Sequence, residues 1–287
     1  MTPDGPLRLA VPNKGRLAEP ALTLLRDAGL DIEIGERRLS VMARNVAIEI
    51  LFVRTGDVAE YVADGLVDLG ITGYDLVAER GADLSRIADL GFGSCSLVVA
   101  TPASGPLDSI AMLEGCRIAT TFPRLTREYL AREGIAAQVV EVTGAVEVTP
   151  QLGMADAIVD LVASGSTLRV NGLRPVATLL ESQAVLVASA AGAIDDPRVA
   201  DLVGMLRSVI EARGREYMMM NAPAASVDRI REIIPGLSGP TIMPLADPAM
   251  IAVHSVVERR ELWRLVPQLK AAGARDILIV PIEKVIR

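Results

Sequence analysis

The sequence predicts an α/β protein of more than one domain, and three observations lead to this fold class. The chain has 287 residues, which exceeds the usual size of a single domain. Over its first two thirds, short β-branched apolar runs alternate with helix-forming stretches, as in sheets covered by helices on both faces. From residue 214 onward the order is strand, helix, two strands, helix and strand, the ferredoxin-like βαββαβ arrangement.

The elements of the first part follow from apolar periodicity. The pattern predicts strands at residues 7–11, 39–43, 48–53 and 66–72 and helices at 17–28, 58–64 and 74–79, in a largely parallel sheet. Residues 101–106 are rich in Pro and Gly and predict a linker, after which the alternation resumes. The apolar runs 176–180 and 185–188 return the chain to the first sheet. We therefore expect subdomain I at 1–102 and 176–213, and subdomain II at 103–175.

The last part predicts a separate small domain at residues 214–287, after a helix at 197–213. Its predicted strands are 217–222, 241–245, 251–256 and 277–282, and its helices are 227–234 and 261–272. Pro267 inside the second of these helices predicts a kink or a break. A small sheet leaves one face or edge to cover, which favours pairing with other subunits.

The segment 137–173 carries the clearest signal for a phosphate site. An apolar strand at 137–142 precedes Gly144, for which a positive φ is expected, and residues 149–153 lead into a predicted helix at 154–160. The free N–H groups at that helix start attract phosphate. The alternative is an ordinary strand-to-helix connection, with Thr149 as a cap and Asp156 as a solvated carboxylate.

Glycines at 15, 73 and 144 each follow a predicted strand. Ligands of open α/β sheets bind beyond the carboxyl ends of strands, so these glycines predict one cleft between the subdomains. Lys14, Arg16, Arg54 and Arg124 lie beside glycines or turns and are candidate phosphate-binding cations, with solvated surface charge as the alternative.

Composition excludes several other functions. A net charge of −7 argues against nucleic-acid binding, and no apolar run is long enough to cross a membrane. The N-terminus has no signal-peptide pattern, so we expect a cytoplasmic protein. Cys95 and Cys116 lie in apolar runs and predict buried structural thiols, and one histidine, His254, supports neither a zinc site nor a serine-histidine triad.

Four groups of residues resemble the ATP phosphoribosyltransferase family, in the family's order. They are residues 7–17, 68–75 and 119–126 and the composite of 144–147, 153–156, 165–168 and 171–173. The tail resembles the regulatory domain of the long form through residues 221–223, 236–241 and 281–284. Phe122 and Arg124 depart from the family, which often has Tyr and Asn there.

The resemblance implies a fold and a reaction. The fold is two hinged subdomains of the type II periplasmic-binding-protein kind, followed by the ferredoxin-like domain. In the reaction, N1 of the ATP adenine attacks C1 of phosphoribosyl pyrophosphate (PRPP) and expels pyrophosphate, giving phosphoribosyl-ATP in the first step of histidine biosynthesis. The substrates imply Mg²⁺. Histidine is implied as a feedback inhibitor and the assembly as a homo-oligomer, from dimer to hexamer.

The resemblance also implies site residues in this sequence. Catalysis and metal binding are assigned to Glu141 and Asp156. PRPP binding is assigned to Gly144, Ala145, Val146, Glu147, Thr149, Gly153, Met154, Ala155, Asp156, Ala157 and Thr167. ATP or pyrophosphate binding is assigned to Lys14, Gly15, Arg16, Arg54, Gly73 and Asp75. Histidine binding is assigned to Asn221, Leu237, Ser238, Thr241 and Ala252, with His254 and Ser255 nearby.

Two other classes share parts of this pattern. One is a ligand-binding protein with the same hinged fold, such as a solute receptor or a transcriptional effector domain. The lack of an export signal argues against the receptor, and the lack of a helix-turn-helix segment or a basic face argues against the effector domain. The other is a prephenate-dehydratase-type enzyme, which also joins a hinged α/β fold to a small amino-acid sensor.

Overall fold

The computed structural model describes residues 5–33, 39–81, 83–189, 196–234, 236 and 239–287. The chain divides into two compact units between Val203 and Gly204. The first unit contains two sheets and the second contains one.

The first sheet of the first unit has the strand order β2-β3-β1-β4-β11-β5. Its strands are β1 Leu7–Pro12, β2 Ser40–Met42, β3 Ile48–Val53, β4 Leu69–Gly73, β5 Leu84–Asp89 and β11 Ala184–Ser189. Its helices are α1 Ala18–Asp27, α2 Val58–Ala63 and α3 Tyr74–Arg80. Only β3, β1 and β4 follow one another in parallel, because β2 and β11 run against their neighbours. The sheet is therefore mixed, not largely parallel as predicted.

The second sheet has the order β10-β6-β9-β7-β8. Its strands are β6 Cys95–Pro102, β7 Arg117–Thr120, β8 Gln138–Glu141, β9 Ala157–Val162 and β10 Leu173–Ser182, with helices α4 Pro123–Glu133 and α5 Ser166–Val170. Strands β8, β7 and β9 are parallel, so their carboxyl ends share one edge. One face packs against α4 around Ile118 and Val159, and the other packs against α5 around Ile158 and Leu168.

Sheet membership corrects the predicted subdomain boundaries. Residues 95–102 and 176–182 were placed in subdomain I, yet β6 and β10 pair with each other in the second sheet. The chain passes between the sheets at residues 90–94 and 183. The predicted boundaries fail because apolar strands on either side of a crossing have the same composition, and the Pro-rich segment near 102 follows β6 instead of preceding it.

The second unit contains the βαββαβ sequence as predicted. Helix α6, Pro197–Ala212, precedes it, and the sheet order is β13-β14-β12-β15. The elements are β12 Arg215–Pro223, α7 Val227–Ile233, β13 Thr241–Pro244, β14 Met250–Glu258, α8 Leu262–Ala271 and β15 Arg275–Pro281. Pro267 does not break α8, which continues to Ala271. Helices α7 and α8 cover one face of the sheet around Met220, Val253 and Leu269.

The predicted fold class is confirmed: two α/β subdomains joined by two crossings, followed by a ferredoxin-like domain. In the part of the chain that the structure describes, no helix has the length and apolarity to span a bilayer.

Candidate active site

The carboxyl edge of the first sheet gathers the residues predicted to bind ATP or pyrophosphate. Strands β3, β1 and β4 are neighbours and parallel, so the turns after them lie side by side. Arg54 follows β3, the group Lys14, Gly15 and Arg16 follows β1, and Gly73 and Asp75 stand at the end of β4 and the start of α3. Gly15 has φ +87°, which a residue with a Cβ rarely adopts.

Hydrogen bonds fix these turns to one another. The Thr55 hydroxyl donates to the carbonyl of Lys14 at 3.4 Å, and the Thr72 hydroxyl donates to the carbonyl of Thr55 at 3.1 Å. The backbone is therefore held while the side chains of Lys14 and Arg54 stay exposed. Exposed cations on a fixed backbone suit an anionic substrate, since the backbone loses little conformational freedom on binding.

Arg16 reaches from the first sheet to the start of the second. Its Nη1 donates to the Gly93 carbonyl at 2.5 Å, and its Nη2 lies 3.0 Å from the Cys95 sulfur. Burial raises the pKa of the Cys95 thiol, an effect that the Arg16 charge partly opposes. The same guanidinium is 3.9 Å from a carboxylate oxygen of Asp75.

Asp75 is buried, with only 2% of its surface exposed. Its carboxylate accepts a hydrogen bond of 2.5 Å from the Ser182 hydroxyl, and its backbone N–H donates to the same hydroxyl at 2.9 Å. In the structure the Asp75 carboxylate is turned inward onto Ser182 and Arg16, and its nucleotide contact stays a prediction.

The two carboxyl edges meet at Cys95. Strand β6 runs against β9, with Ser96 opposite Val162, so Cys95 lies beside the carboxyl end of β9. Cys95 is also opposite Ser182 in β10. Since Arg16 belongs to the carboxyl edge of β1, its contact with Cys95 brings the turns after β1 and β4 close to the loop after β9.

The loop after β8 supplies five of the residues predicted for PRPP: Gly144, Ala145, Val146, Glu147 and Thr149. Val146 is buried, and the Thr149 hydroxyl donates to its carbonyl at 2.7 Å, which closes the turn. The positive φ expected at Gly144 lies instead at Ala145, with φ 50° and ψ 41°. A non-glycine residue held in this region is a mark of a constrained, often functional, turn.

The predicted helix at 154–160 is wrong, because residues 157–162 form strand β9 in the middle of the second sheet. Gly153, Met154, Ala155, Asp156 and Ala157 therefore carry the chain from the loop to the amino end of β9 and do not form a helix start. The pattern was misread because Met and Ala favour helices, whereas Ile158 and Val159 are buried between neighbouring strands.

Asp156 and Glu141 are not brought together. Asp156 accepts a hydrogen bond of 2.8 Å from the backbone N–H of Arg117, at the amino end of β7, and this bond lowers the pKa of its carboxyl group. Glu141 ends β8 opposite Thr120 and pairs with Arg127 at 2.5 Å. Along β7, Arg117 beside Asp156 and Thr120 beside Glu141 are three residues apart, which corresponds to about 10 Å. The structure therefore separates the two carboxylates that were predicted to act together, and the catalytic and metal-binding role of each stays a prediction.

Sequence reasoning missed Asp160. This residue lies on β9 between Ile158 and Val162, on the face packed by Val146 and Leu168. Burial raises the pKa of its carboxyl group, the Leu161 N–H opposes the shift, and the charge of Glu147 raises the pKa further. A half-buried carboxylate near the carboxyl end of a central strand, beside a second carboxylate, is typical of a functional site.

The turn after β9 and the start of α5 lie at the same edge. They contain Ser164, Gly165, Ser166 and Thr167, with Gly165 at φ +71° and the hydroxyls of Ser164 and Ser166 2.9 Å apart. Among these residues only Thr167 was in the predicted PRPP set. The signal in the sequence was an apolar run containing one aspartate, followed by a glycine between hydroxyl residues.

The predicted histidine-binding residues divide between the two faces of the sheet in the second unit. Asn221 of β12 pairs with Ala252, and Thr241 pairs with His254, which places these four on the face opposite the helices. The Tyr217 hydroxyl lies 2.9 Å from Nδ1 of His254, and the Asn221 amide donates to Asp276 at 3.1 Å. Ser255 points to the helix-covered face and is buried. Leu237 and Ser238 lie outside the described residues.

Comparison with known proteins identifies related enzymes. The family model for ATP phosphoribosyltransferase matches residues 54–208, and the model for the HisG C-terminal domain matches 212–284. The ATP phosphoribosyltransferase of Methanosarcina barkeri is 43% identical over 97% of this chain and 99% of its own length. That of Natronomonas pharaonis is 47% identical over 98% of this chain and 100% of its own length.

A solved structure agrees with these matches. A chain of the ATP phosphoribosyl transferase (HisG:HisZ) complex from Thermotoga maritima aligns with a TM-score of 0.62 at 29% identity, over 71% of this chain and 98% of that chain. The fold and the facing strand edges define a two-subdomain α/β enzyme of the glycosyltransferase class with an added small domain. The chain belongs to the ATP phosphoribosyltransferase family, in the long form that carries a C-terminal domain. Neither the ligand-binding protein nor the prephenate-dehydratase-type enzyme is favoured.

Proposed function

We propose that the chain joins adenine N1 of ATP to C1 of PRPP at the facing carboxyl edges of its first two sheets, releasing pyrophosphate. The observation that carries this proposal is the contact between Arg16 and Cys95, which brings a cationic turn of one sheet beside the hydroxyl-rich loop of the other. Membership of the family supplies the reaction.

On the side of the second sheet, we assign PRPP binding to the loop after β8 and to the turn that leads from β9 into α5. Residues 164–167 offer three hydroxyls and a glycine in the left-handed region, which lets backbone N–H groups turn toward a phosphate. Asp160 and Glu147 are carboxylates near the same edge of the sheet, and ribose hydroxyls are natural donors to them.

On the side of the first sheet, Lys14, Arg16 and Arg54 are assigned to the phosphates of ATP and to pyrophosphate. The whole chain carries a net charge of −7, so binding of polyphosphates depends on such a local concentration of cations. Arg16 can bind an anion in a bidentate manner, whereas Lys14 acts as a mobile point charge.

The chemistry needs stabilisation of opposite charges at two places. C1 of the ribose gains positive character as pyrophosphate leaves, and the carboxylate of Asp160 beside the ribose favours that charge. The leaving pyrophosphate gains negative charge, which the guanidinium of Arg16 and the ammonium of Lys14 stabilise. Positioning of N1 opposite C1 accounts for the rest of the acceleration.

Mg²⁺ fits the oxygen donors of this edge better than the predicted pair. Val146, next to Glu147, packs with Ile158 on the face of β9 that carries Asp160, so the two carboxylates belong to one side of the sheet. Mg²⁺ uses one or two carboxylates together with substrate phosphates. Bound there, it would neutralise part of the pyrophosphate charge. Within the described ranges no cluster of three or more His, Cys, Asp or Glu side chains occurs.

A direct assay tests the proposal. The protein is incubated with ATP, PRPP and Mg²⁺, and pyrophosphate release is measured together with the ultraviolet absorbance of the adenine product. Release that requires both substrates is expected. Binding of each substrate without turnover, or release that does not need ATP, would overturn the proposed reaction.

We also propose that the second unit binds histidine and inhibits the enzyme. Asn221, Thr241, Ala252 and His254 share the sheet face that the helices leave uncovered, and Asp276 adds a carboxylate beside Asn221. That face also presents Tyr217, Leu278 and Val280, all exposed. Apolar exposure of this kind favours a homo-oligomer. We also propose that the protein is cytoplasmic.

A further inference from the structure

Both chain crossings between the first two sheets converge on one polar cluster. The outward crossing supplies the Gly93 carbonyl and the Cys95 sulfur, which both contact the Arg16 guanidinium. The return crossing begins at Ser182, which is buried and bonds Asp75 twice. The cluster therefore connects Ser182 to Arg16 through a single carboxylate.

Within this cluster the Asp75 carboxylate lies closer to Ser182 than to Arg16. The Ser182 hydroxyl is 2.5 Å from Oδ1 of Asp75, whereas Arg16 is 3.9 Å from that same oxygen. Asp75 thus has a close hydrogen bond to serine and only a long ion pair with arginine. Gly93 and Cys95 accept from two of the five N–H groups of Arg16, whose side chain is 41% exposed, so donors remain for an anion.

We infer that Ser182 is a positioning residue for the reaction: it holds the Asp75 carboxylate away from Arg16 and so keeps the guanidinium available to an anionic substrate. This inference rests on the proposed role of Arg16 in binding ATP or pyrophosphate. Ser182 itself touches no substrate in this scheme, because it lies beneath Asp75 and is buried.

Loss of the hydroxyl has a defined consequence. In Ser182→Ala the buried carboxylate loses its close donor, and a buried charge must find another partner. Arg16 is the nearest cation, so Asp75 moves onto it and competes with the substrate. We expect KM for the substrate bound by Arg16 to rise about ten-fold, the scale of one charge-assisted hydrogen bond. We expect kcat to fall as well, because the same guanidinium stabilises the leaving pyrophosphate.

The test uses four variants of the full chain: Ser182→Ala, Ser182→Thr, Arg16→Ala and the double change Ser182→Ala with Arg16→Ala. Substrate affinities are measured by titration with ATP and with PRPP separately, and kcat and KM are measured in the pyrophosphate assay. Ser182→Thr keeps the hydroxyl and should restore KM. In the Arg16→Ala background, Ser182→Ala should have no further effect on KM.

The outcomes separate the inference from the proposed function. If Arg16→Ala leaves both affinities unchanged, the proposed role of Arg16 fails. If Arg16→Ala weakens binding but Ser182→Ala weakens it further in the double variant, Ser182 acts independently and the inference is overturned. Should Ser182→Ala fail to fold, Ser182→Cys provides a near-isosteric, weaker donor, and unchanged KM in that folded variant would contradict the inference.

Discussion

Arg124 of α4 and Glu79 of α3 cap each other's helices across the two sheets of the first unit. The Glu79 carboxylate accepts from the backbone N–H groups of Arg124 and Leu125 at 2.8 and 3.0 Å, in the first turn of α4. In return, Arg124 donates through Nε to the Glu79 carbonyl at 2.8 Å and also bonds the Ala78 carbonyl, at the end of α3. Each side chain satisfies helix-end groups that have no partner within their own helix.

This reciprocal capping predicts that Glu79 stabilises the first unit. Glu79→Ala leaves two N–H groups of α4 without their acceptor, which we expect to cost about 1–2 kcal/mol. For a unit of this size, thermal unfolding should shift downward by roughly 2–8 °C. Differential scanning calorimetry measures the change.

Glu60→Ala is the matched control, since Glu60 makes an exposed ion pair of 3.2 Å with Arg80. That pair should contribute less than about 1 kcal/mol. Equal losses in the two variants would show that the capping contacts of Glu79 are no stronger than a surface pair.

The order of strands and helices could largely be predicted from the sequence, but the side-chain contacts between the two sheets could not. Arg124 follows a turn, as a phosphate-binding cation would, and nothing local distinguishes it from Arg16. The difference arises from α3, which the fold brings to Arg124, and from Gly93 and Cys95, which the fold brings to Arg16. Apolar periodicity determines which face of an element is buried, whereas such polar pairings depend on tertiary contacts far apart in the chain.

The misassigned segment around β9 shows a second limit. Residues 154–160 contain good helix formers, so the sequence favours a helix, yet the surrounding strands make the segment a central strand. Because of that error Asp160 was not identified as a site residue, since a carboxylate on a surface helix is expected to be solvated. On a central strand the same carboxylate is half-buried and faces the loops that close the site.

Asp160→Asn should weaken PRPP binding while stabilising the fold. Losing the carboxylate removes an acceptor for ribose hydroxyls, so we expect PRPP affinity to fall about ten-fold or more and ATP affinity to persist. Isothermal titration with each ligand measures both. Unchanged PRPP affinity in a folded variant would exclude Asp160 from the site.

The stability gain of Asp160→Asn should depend on pH. Burial raises the pKa of Asp160 in the folded state, so the folded protein holds its proton more tightly than the unfolded chain, whose aspartate has a pKa near 3.9. The cost of the charge is therefore fully present above the folded pKa and absent below about pH 3.9. Urea unfolding should show the variant more stable at pH 7 and the two proteins converging as pH falls; a constant difference would contradict the burial argument.

Asp156→Asn should have the opposite stability profile and leave catalysis intact. The Arg117 N–H lowers the pKa of Asp156 in the folded state, so its stabilisation is present above about pH 3.9 and lost as pH falls through the lowered pKa. Because the pair with Arg117 is partly exposed, we expect only about 1 kcal/mol at pH 7. Steady-state assays should give wild-type kcat and KM, and a large fall in kcat would return Asp156 to the active site.

Asn221→Leu should abolish inhibition by histidine without affecting the uninhibited reaction. Asn221 lies on the uncovered sheet face and bonds Asp276, which has φ 55° and is therefore held in a constrained position. Leucine removes the amide and leaves Asp276 without that donor, so the polar binding site for histidine is lost. If histidine is coupled to the active site by about 1–3 kcal/mol, inhibition in the wild type corresponds to a change of about 5- to 150-fold in apparent substrate affinity.

Ser255→Ala is the control, because Ser255 lies on the neighbouring strand β14 but points to the helix-covered face. Titrating histidine against pyrophosphate release should show inhibition lost in Asn221→Leu and kept in Ser255→Ala. Full histidine sensitivity in Asn221→Leu would move the sensor away from this face, and loss of sensitivity in both variants would indicate a general disturbance of the second unit instead of a binding site.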